Sequence, residues 1–279
     1  MWIQRTIRQS IFREFAPDGF RSTTPRILGA AAAALLLASC SRSSNVDLAD
    51  AAPPSPAPRP SRTQEALATI TGKVRISGKL PAPPALQTNS SVERQCGKEI
   101  PDRTLLLDKE GALANALVFL ADVERSSSDR DSSAPKVLLD QRGCAYLPPV
   151  IAARAGATLE VLNSDPLMHN VRASAESPLF NFAMPLQGQK VDKQLPARPA
   201  IIRVECDVHP WMHAVIRTFD HPYFAPTDSN GRYQLAIPAG KKKVAFWHER
   251  FPEQSVTVEV AAGQSTERDA LWPASQLHR

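Results

Sequence analysis

The segment VECDVHPWMHAV, residues 204–215, places a thiol, two imidazoles and a thioether within eight residues. A mononuclear copper centre for electron transfer needs a thiolate, two imidazole nitrogens and a weak axial thioether. Cys206, His209 and Met212, in the spacing Cys-x2-His-x2-Met, supply three of these ligands from one short loop. The pattern therefore predicts a copper site that lacks only its second imidazole.

The second imidazole must come from another part of the chain. The segment LEVLNSDPLMHNV offers His169 at the end of a predicted strand. His213, directly after Met212, is expected to point another way. A zinc site would need a further Cys or His pair and no Met, and a binuclear copper centre would need a second Cys in the loop. The sequence contains neither.

The chain has four cysteines, Cys40, Cys96, Cys144 and Cys206. Cys40 belongs to the leader described below, and an exported protein meets an oxidising environment in which free thiols need an explanation. Cys96 and Cys144 lie outside any cluster of ligands, so we interpret them as a disulfide pair. Cys206 then stays unpaired, and a bound metal would account for its survival.

Two stretches, NSDPLMHNV and CDVHPWM, resemble the ligand loops of the cupredoxins, and the second is most similar to the short loop of amicyanin. The resemblance covers roughly residues 156–219 well and the strands before them loosely. It implies one type-1 copper ion with four ligands, His169, Cys206, His209 and Met212. It also implies that Asn170 braces the two ligand loops. Asp207 departs from the pattern, since the closest relatives tend to carry Ser or Thr there, which puts the side-chain brace to Asn170 in question.

The N-terminal residues 1–39 read as an export signal. An Arg-rich stretch is followed by ILGAAAAALLLA, an apolar segment too short to span a bilayer and typical of a signal-peptide core. The next residues, LASC, resemble a bacterial lipobox, which implies that Cys40 is lipidated and becomes the mature N-terminus. Ser41 in the following position implies the outer membrane. We therefore expect a protein of the bacterial cell envelope, tied to the periplasmic face of the outer membrane through its lipid anchor.

Charge argues against a nucleic-acid partner. The formal net charge is +5, but removing the five Arg, Glu14 and Asp18 of the leader reduces it to +2. Nucleic-acid binding depends on a strong positive field, so we expect no nucleic acid. No nucleophile–base pair or paired carboxylates fall within a motif, and we expect no enzyme.

The remaining sequence predicts an all-β fold. Residues 40–67 are a Pro-rich tether, with five Pro in eight residues at 53–60, which favours an extended spacer. From Thr69 onward, short alternating or β-branched runs predict strands, among them TITGKVRI, ALVFLADV, ATLEVLN, AIIRVEC and SVTVEV. DSNGRY predicts a hairpin turn at Asn230–Gly231. We assign a cupredoxin-like Greek-key sandwich to 68–220 and a smaller sandwich to 221–279.

The C-terminal segments TDSNGRYQL and IPAGKKKVAFWHE resemble the transthyretin-like, carboxypeptidase regulatory-like modules. About sixty residues are few for an independent sandwich of this kind, and TITGKVRI and ALVFLADV look like the opening strands of the same module. Two arrangements stay open: a copper domain inserted between halves of the module, or a simple tandem.

The sequence thus predicts a lipoprotein that carries one type-1 copper ion and transfers electrons to a redox protein that docks near Trp211. Two alternatives remain. One is a copper-binding or copper-delivery lipoprotein without redox turnover, and the other is a copper-free envelope scaffold.

Overall fold

The structure, a computed structural model, describes residues 67–81, 86–88, 90–123 and 135–278. The predicted signal peptide over 1–39 and the lipidation site Cys40 lie outside the described residues, as does the tether over 40–67 apart from its last residue. In the described part of the chain, no helix has the length and apolar character needed to cross a membrane.

Strands dominate the described residues, which confirms the predicted all-β class. In chain order they are β1 (Leu67–Ser77), β2 (Leu86–Gln87), β3 (Glu99–Ile100), β4 (Leu117–Leu120), β5 (Val137–Gln141), β6 (Tyr146–Leu147), β7 (Val150–Arg154), β8 (Thr158–Asn163), β9 (His169–Ser174), β10 (Pro178–Met184), β11 (Lys190–Gln194), β12 (Ala200–Glu205), β13 (His213–Phe219), β14 (Phe224–Pro226), β15 (Arg232–Pro238), β16 (Gly240–His248), β17 (Phe251–Val260), β18 (Ser265–Glu267) and β19 (Ala270–Pro273). The helices in the described ranges are one α-helical turn, α1 (Glu93–Cys96), and a 3-10 helix over Ala274–Gln276.

The first sandwich consists of two sheets with the strand orders β10-β9-β12-β13-β7 and β11-β8-β5-β6. Alternation along the strands turns one face of each sheet inward. In β8, for example, Leu159, Val161 and Asn163 are buried, whereas the residues between them are half-buried. Both sheets share one hydrophobic core, and that core includes Cys206 and Met212.

The second sandwich joins strands from both ends of the described chain. One of its sheets has the order β15-β1-β18, with β19 also paired to β1, and the other has the order β14-β4-β16-β17. The predicted strands TITGKVRI and ALVFLADV form β1 and β4, which pair antiparallel with β15 and β16. Strands that precede and follow the first sandwich in sequence therefore build the second one together. Its resemblance to a transthyretin-like module stays a prediction.

A third cluster of buried side chains lies where β7 and β13 of the first sandwich meet β4 and β16 of the second. Along β13, Ala214 and Ile216 face the core of the first sandwich, whereas Val215 and Phe219 belong to the junction. A strand that is buried on both faces needs a nearly continuous apolar run. This requirement explains runs such as AVIRTF, in which hydrophobic and polar residues do not alternate.

The predicted hairpin at Asn230–Gly231 is wrong, although the tight turn is present. The amide of Gly231 donates to the carbonyl of Asp228 at 3.0 Å, but β14 before the turn and β15 after it lie in different sheets. Gly231 has φ of 70°, and a Cβ there would lie 2.6 Å from the carbonyl oxygen of Val74. A glycine is required because the turn packs directly against β1.

Candidate metal centre

The sheet that contains β9, β12 and β13 brings the predicted ligands together. His169 is the first residue of β9, and not the end of a strand as predicted, because β8 ends at Asn163 and the chain then crosses to the other sheet. Cys206 directly follows β12, which pairs with both β9 and β13. The loop from Cys206 to Met212 connects β12 to β13, and because β12 pairs with β9, the Cys206 end of this loop lies beside the start of β9.

Three of the four predicted ligand side chains converge at this edge of the sandwich. Nδ1 of His169 lies 3.0 Å from Nδ1 of His209, and Sγ of Cys206 lies 3.8 Å from Nδ1 of His209. The three ligand atoms all lie within 4.8 Å of one another. The residues are 0%, 2% and 3% exposed for His169, His209 and Cys206, so a metal ion bound here would be shielded from water.

Cys206 has the properties of a metal-binding thiol. It is the free cysteine among the described residues. Burial opposes its ionisation, but its contacts with the imidazoles of His169 and His209 and the hydrogen bond from the backbone amide of Asn170 outweigh burial and lower the pKa of Cys206 to about 5. The thiolate is the form that binds metals, and it is the form that this environment favours at neutral pH.

Met212 occupies the same core as Cys206. It is 1% exposed, and its backbone amide donates to the carbonyl of His209 at 2.9 Å, which closes the loop into a turn. Its side chain is thus buried in the core that also contains Cys206, and a thioether is the weak axial ligand of electron-transfer copper.

Asn170 connects the two ligand loops as the resemblance implied, but through a different atom of its partner. Its side-chain Oδ1 accepts a hydrogen bond from the backbone amide of Asp207 at 2.8 Å. The backbone amide of Asn170 donates to Sγ of Cys206 at 3.4 Å. The carboxylate of Asp207 instead turns outward and pairs with Arg172 at 2.6 Å. The direct brace therefore uses the backbone at position 207, whereas the Asp207 side chain reaches Asn170 only indirectly, through Asn181.

Asp165 is a contact of the site that the sequence reading missed. Its Oδ2 lies 2.9 Å from Nε2 of His169, on the side of the ring away from Cys206 and His209. Burial opposes its ionisation, but the hydrogen bond from His169 and those from the amides of Cys144 and Gly143 lower the pKa of the Asp165 carboxyl. The sequence signal was a carboxylate four residues before a predicted ligand, which alone is too common to be informative.

Cys96 and Cys144 form the predicted disulfide, with 5.4 Å between their Cα atoms. The bond lies beside the site, because the carbonyl of Cys144 accepts a hydrogen bond from Nε1 of Trp211 at 3.1 Å. The ring of Trp211 in turn contacts that of His209, with 5.2 Å between ring centroids. The hydrogen bond from Trp211 thus connects the disulfide-bonded Cys144 to the loop from Cys206 to Met212.

His213 is turned away from the site as expected. Its Nε2 lies 2.7 Å from the carboxylate of Glu249 at the junction with the second sandwich. A second possible metal-binding group contains Cys144, Asp165 and His169, but the sulfur of Cys144 is already bonded to Cys96. The donor set at the edge of the first sandwich is therefore the candidate metal centre.

No protein-family model matches the chain, and no curated protein matches it. Among solved structures, a copper-containing nitrite reductase from Thermus scotoductus is 20% identical over 31% of this chain and 23% of its own, with a TM-score of 0.28. Amicyanin from Paracoccus versutus is 19% identical over 37% of this chain and 97% of its own, with a TM-score of 0.26. A purple cupredoxin from Nitrosopumilus maritimus is 16% identical over 30% of this chain and 99% of its own, also with a TM-score of 0.26.

Proposed function

We propose that this protein is an exported lipoprotein that holds one type-1 copper ion and transfers single electrons in the cell envelope. The observation that carries the proposal is the convergence of a buried, unpaired thiol with two imidazole Nδ1 atoms. A free thiol of lowered pKa in a chain that also contains a disulfide is best explained by a bound metal.

The donor set fits copper better than zinc. Structural zinc is held by four Cys or His ligands, whereas one thiolate, two imidazoles and a weak thioether are the ligands of electron-transfer copper. His169, Cys206, His209 and Met212 would hold the ion. Copper bound by this set supplies one-electron chemistry, because soft sulfur suits Cu(I) and imidazole suits both oxidation states.

The protein's own contacts support electron transfer over delivery. A site that releases its metal needs mobile ligands, but here Asn170 connects both ligand loops through Asp207 and Cys206. The hydroxyl of Tyr146 donates to the carbonyl of Asn170 at 2.5 Å and fixes that peptide from the other sheet. A braced ligand set changes little when the charge of the ion changes, which lowers the barrier to electron transfer.

The redox partner is proposed to dock at the surface around Trp211, where apolar side chains flank the ligands. Val208 and Met168, each next to a ligand histidine in sequence, are 43% and 48% exposed. Transient redox complexes use small interfaces, so a surface of this size suffices. The lipid anchor at Cys40 would keep the protein at the membrane, and the second sandwich, with its resemblance to transthyretin-like modules, would serve as a scaffold.

The test is to add Cu(II) to the purified full chain and to record its absorption and electron paramagnetic resonance spectra. We expect an intense thiolate-to-copper band that disappears in Cys206→Ser. The matched control is His213→Gln, which changes a histidine of the neighbouring strand, keeps a donor for Glu249 and should retain the band. A band that persists in Cys206→Ser would refute the assignment.

Potentiometry separates the remaining candidates. A reversible couple supports electron transfer. Tight Cu(I) binding without a blue Cu(II) species would instead favour copper delivery, and a chain that binds no copper would favour a scaffold.

A further inference from the structure

The carboxylate of Asp165 accepts hydrogen bonds from two directions. Its Oδ1 accepts the amide of Gly143 at 2.7 Å, and its Oδ2 accepts the amide of Cys144 at 2.8 Å. The remaining contact of Oδ2 is Nε2 of His169 at 2.9 Å. The side chain is 11% exposed, so these contacts are sheltered from competing water.

The contact with Asp165 decides which nitrogen of His169 is protonated. A carboxylate only accepts, so Nε2 must carry the proton in that hydrogen bond. In the neutral imidazole Nδ1 is then left with its lone pair, and this Nδ1 lies 3.0 Å from Nδ1 of His209. In metal sites, an outer carboxylate of this kind fixes the tautomer and orientation of the ligating imidazole and raises its basicity.

Asp165 is itself held by the turn Arg142–Ala145, which the disulfide ties to the segment around Cys96. Gly143 and Cys144 have φ of 61° and 54°, and successive residues in this conformation direct their amides to one anion. A left-handed φ is unfavourable for Cys144 and persists only where the surroundings enforce it. The disulfide to Cys96 and the hydrogen bonds to Asp165 are those surroundings.

Cys144 also contacts the other ligand loop. While the amide of Cys144 donates to Asp165, its carbonyl accepts Nε1 of Trp211, whose ring lies against His209. Cys144 therefore contacts both Asp165, which is bonded to His169, and Trp211, which lies against His209.

We propose that Asp165 is the positioning residue of His169 and that the disulfide-bonded turn Arg142–Ala145 holds it in place. This inference rests on the proposed copper function. Loss of an outer-shell partner typically weakens metal binding about 10–100-fold. The loss falls mainly on Cu(II), since a nearby negative charge favours the more positive ion. The reduction potential therefore rises when Asp165 is neutralised, by about 59 mV for each tenfold difference between the two affinities.

The experiment compares the full chain with Asp165→Asn, which keeps the size of the side chain and removes its charge. Cu(II) and Cu(I) affinities are measured against competing chelators, together with the reduction potential. The control is Asp192→Asn, which removes the same charge from β11, where Asp192 pairs with Lys136 at the surface at 3.0 Å. We expect a higher potential in Asp165→Asn and an unchanged one in the control. Equal potentials in Asp165→Asn and wild type would overturn the role of Asp165.

A second measurement needs neither copper nor a variant. Burial opposes protonation of His169, but Asp165 and Cys206 outweigh burial and raise its pKa. Nitrogen-15 NMR of the copper-free wild type is therefore recorded at a pH high enough for this imidazole to be neutral. It identifies the protonated nitrogen of His169, and we expect Nε2–H. An Nδ1–H tautomer would overturn the inference even if Asp165→Asn failed to fold. Because this result is independent of copper, it is distinguishable from failure of the proposed function, in which wild type shows no thiolate-to-copper band.

The double variant Cys96→Ala, Cys144→Ala tests the turn. It should raise the potential in the same direction as Asp165→Asn but by less, because the amides of the turn remain while their position is no longer enforced. A wild-type potential in the double variant would remove the disulfide from the proposal.

Discussion

Replacing Asn170 with Ala should separate the two ligand loops. The carboxamide lies between them, where Oδ1 accepts the amide of Asp207 at 2.8 Å and Nδ2 donates to the carboxamide oxygen of Asn181. Asn170 is 9% exposed, so little water can replace it. Asn181, in contrast, is exposed and can turn to solvent.

The magnitude follows from which partner is left unpaired. The amide of Asp207 is partly buried, and leaving such a donor without an acceptor costs about 1–3 kcal/mol. We therefore expect Asn170→Ala to lower the free energy of unfolding of the copper-free protein by about that amount. Asp207→Ser should lower it much less, because it keeps the backbone amide and removes only solvent-exposed contacts of the carboxylate with Arg172 and Asn181.

The assay is chemical denaturation of both variants and wild type without copper, followed by Cu(II) titration of each. We expect Asn170→Ala to bind Cu(II) more weakly and Asp207→Ser to resemble wild type. If Asp207→Ser proves as damaging as Asn170→Ala, the brace acts through the Asp207 side chain and the present reasoning is wrong.

Three further predictions concern the second sandwich and the junction. Burial lowers the pKa of His248 from 6.5 to about 4, so the unfolded chain binds the proton more readily. The free energy of unfolding should fall by about 3 kcal/mol as pH drops from about 6.5 to about 4. Chemical denaturation of His248→Asn over the same pH range should show a free energy of unfolding without this fall. Gly231→Ala should lower the free energy of unfolding, measured by thermal denaturation, by more than about 1 kcal/mol. The reason is that its Cβ would lie 2.6 Å from the carbonyl oxygen of Val74. Arg217→Ala should also lower the melting temperature, since its guanidinium lies 4.3 Å from the ring centroid of Phe119 at the junction; an unchanged melting temperature would contradict that role.

Much of the fold follows from local pattern. Strand β8 and the alternating Tyr233, Leu235 and Ile237 of β15 have one buried face each, and that face is visible as a period of two in the sequence. The pairing of the strands is not visible in this way. β1 lies between β15 and the C-terminal strands β18 and β19, and hydrophobic alternation does not specify which strand becomes the neighbour.

The site shows the same division. Cys206, His209 and Met212 are close in sequence, so their spacing alone indicates a shared loop. Asp165 and Tyr146 touch the site through the fold, from the loop after β8 and from β6, and neither has a distinctive sequence signal. The convergence of His169, Cys206 and His209 was therefore predictable, whereas the contacts of Asp165 and Tyr146 required the structure.

The two sandwiches are also related through the site. β13 begins one residue after Met212, and its face opposite the first core packs against β4 and β16. At its first residue, His213 pairs with Glu249, and further along, Arg217 pairs with Glu253 at 2.9 Å. The strand that ends the ligand loop is thus held on both faces. Movement of β13 would have to displace side chains of the second sandwich, so the packing of this sandwich limits movement of the strand that follows the loop from Cys206 to Met212.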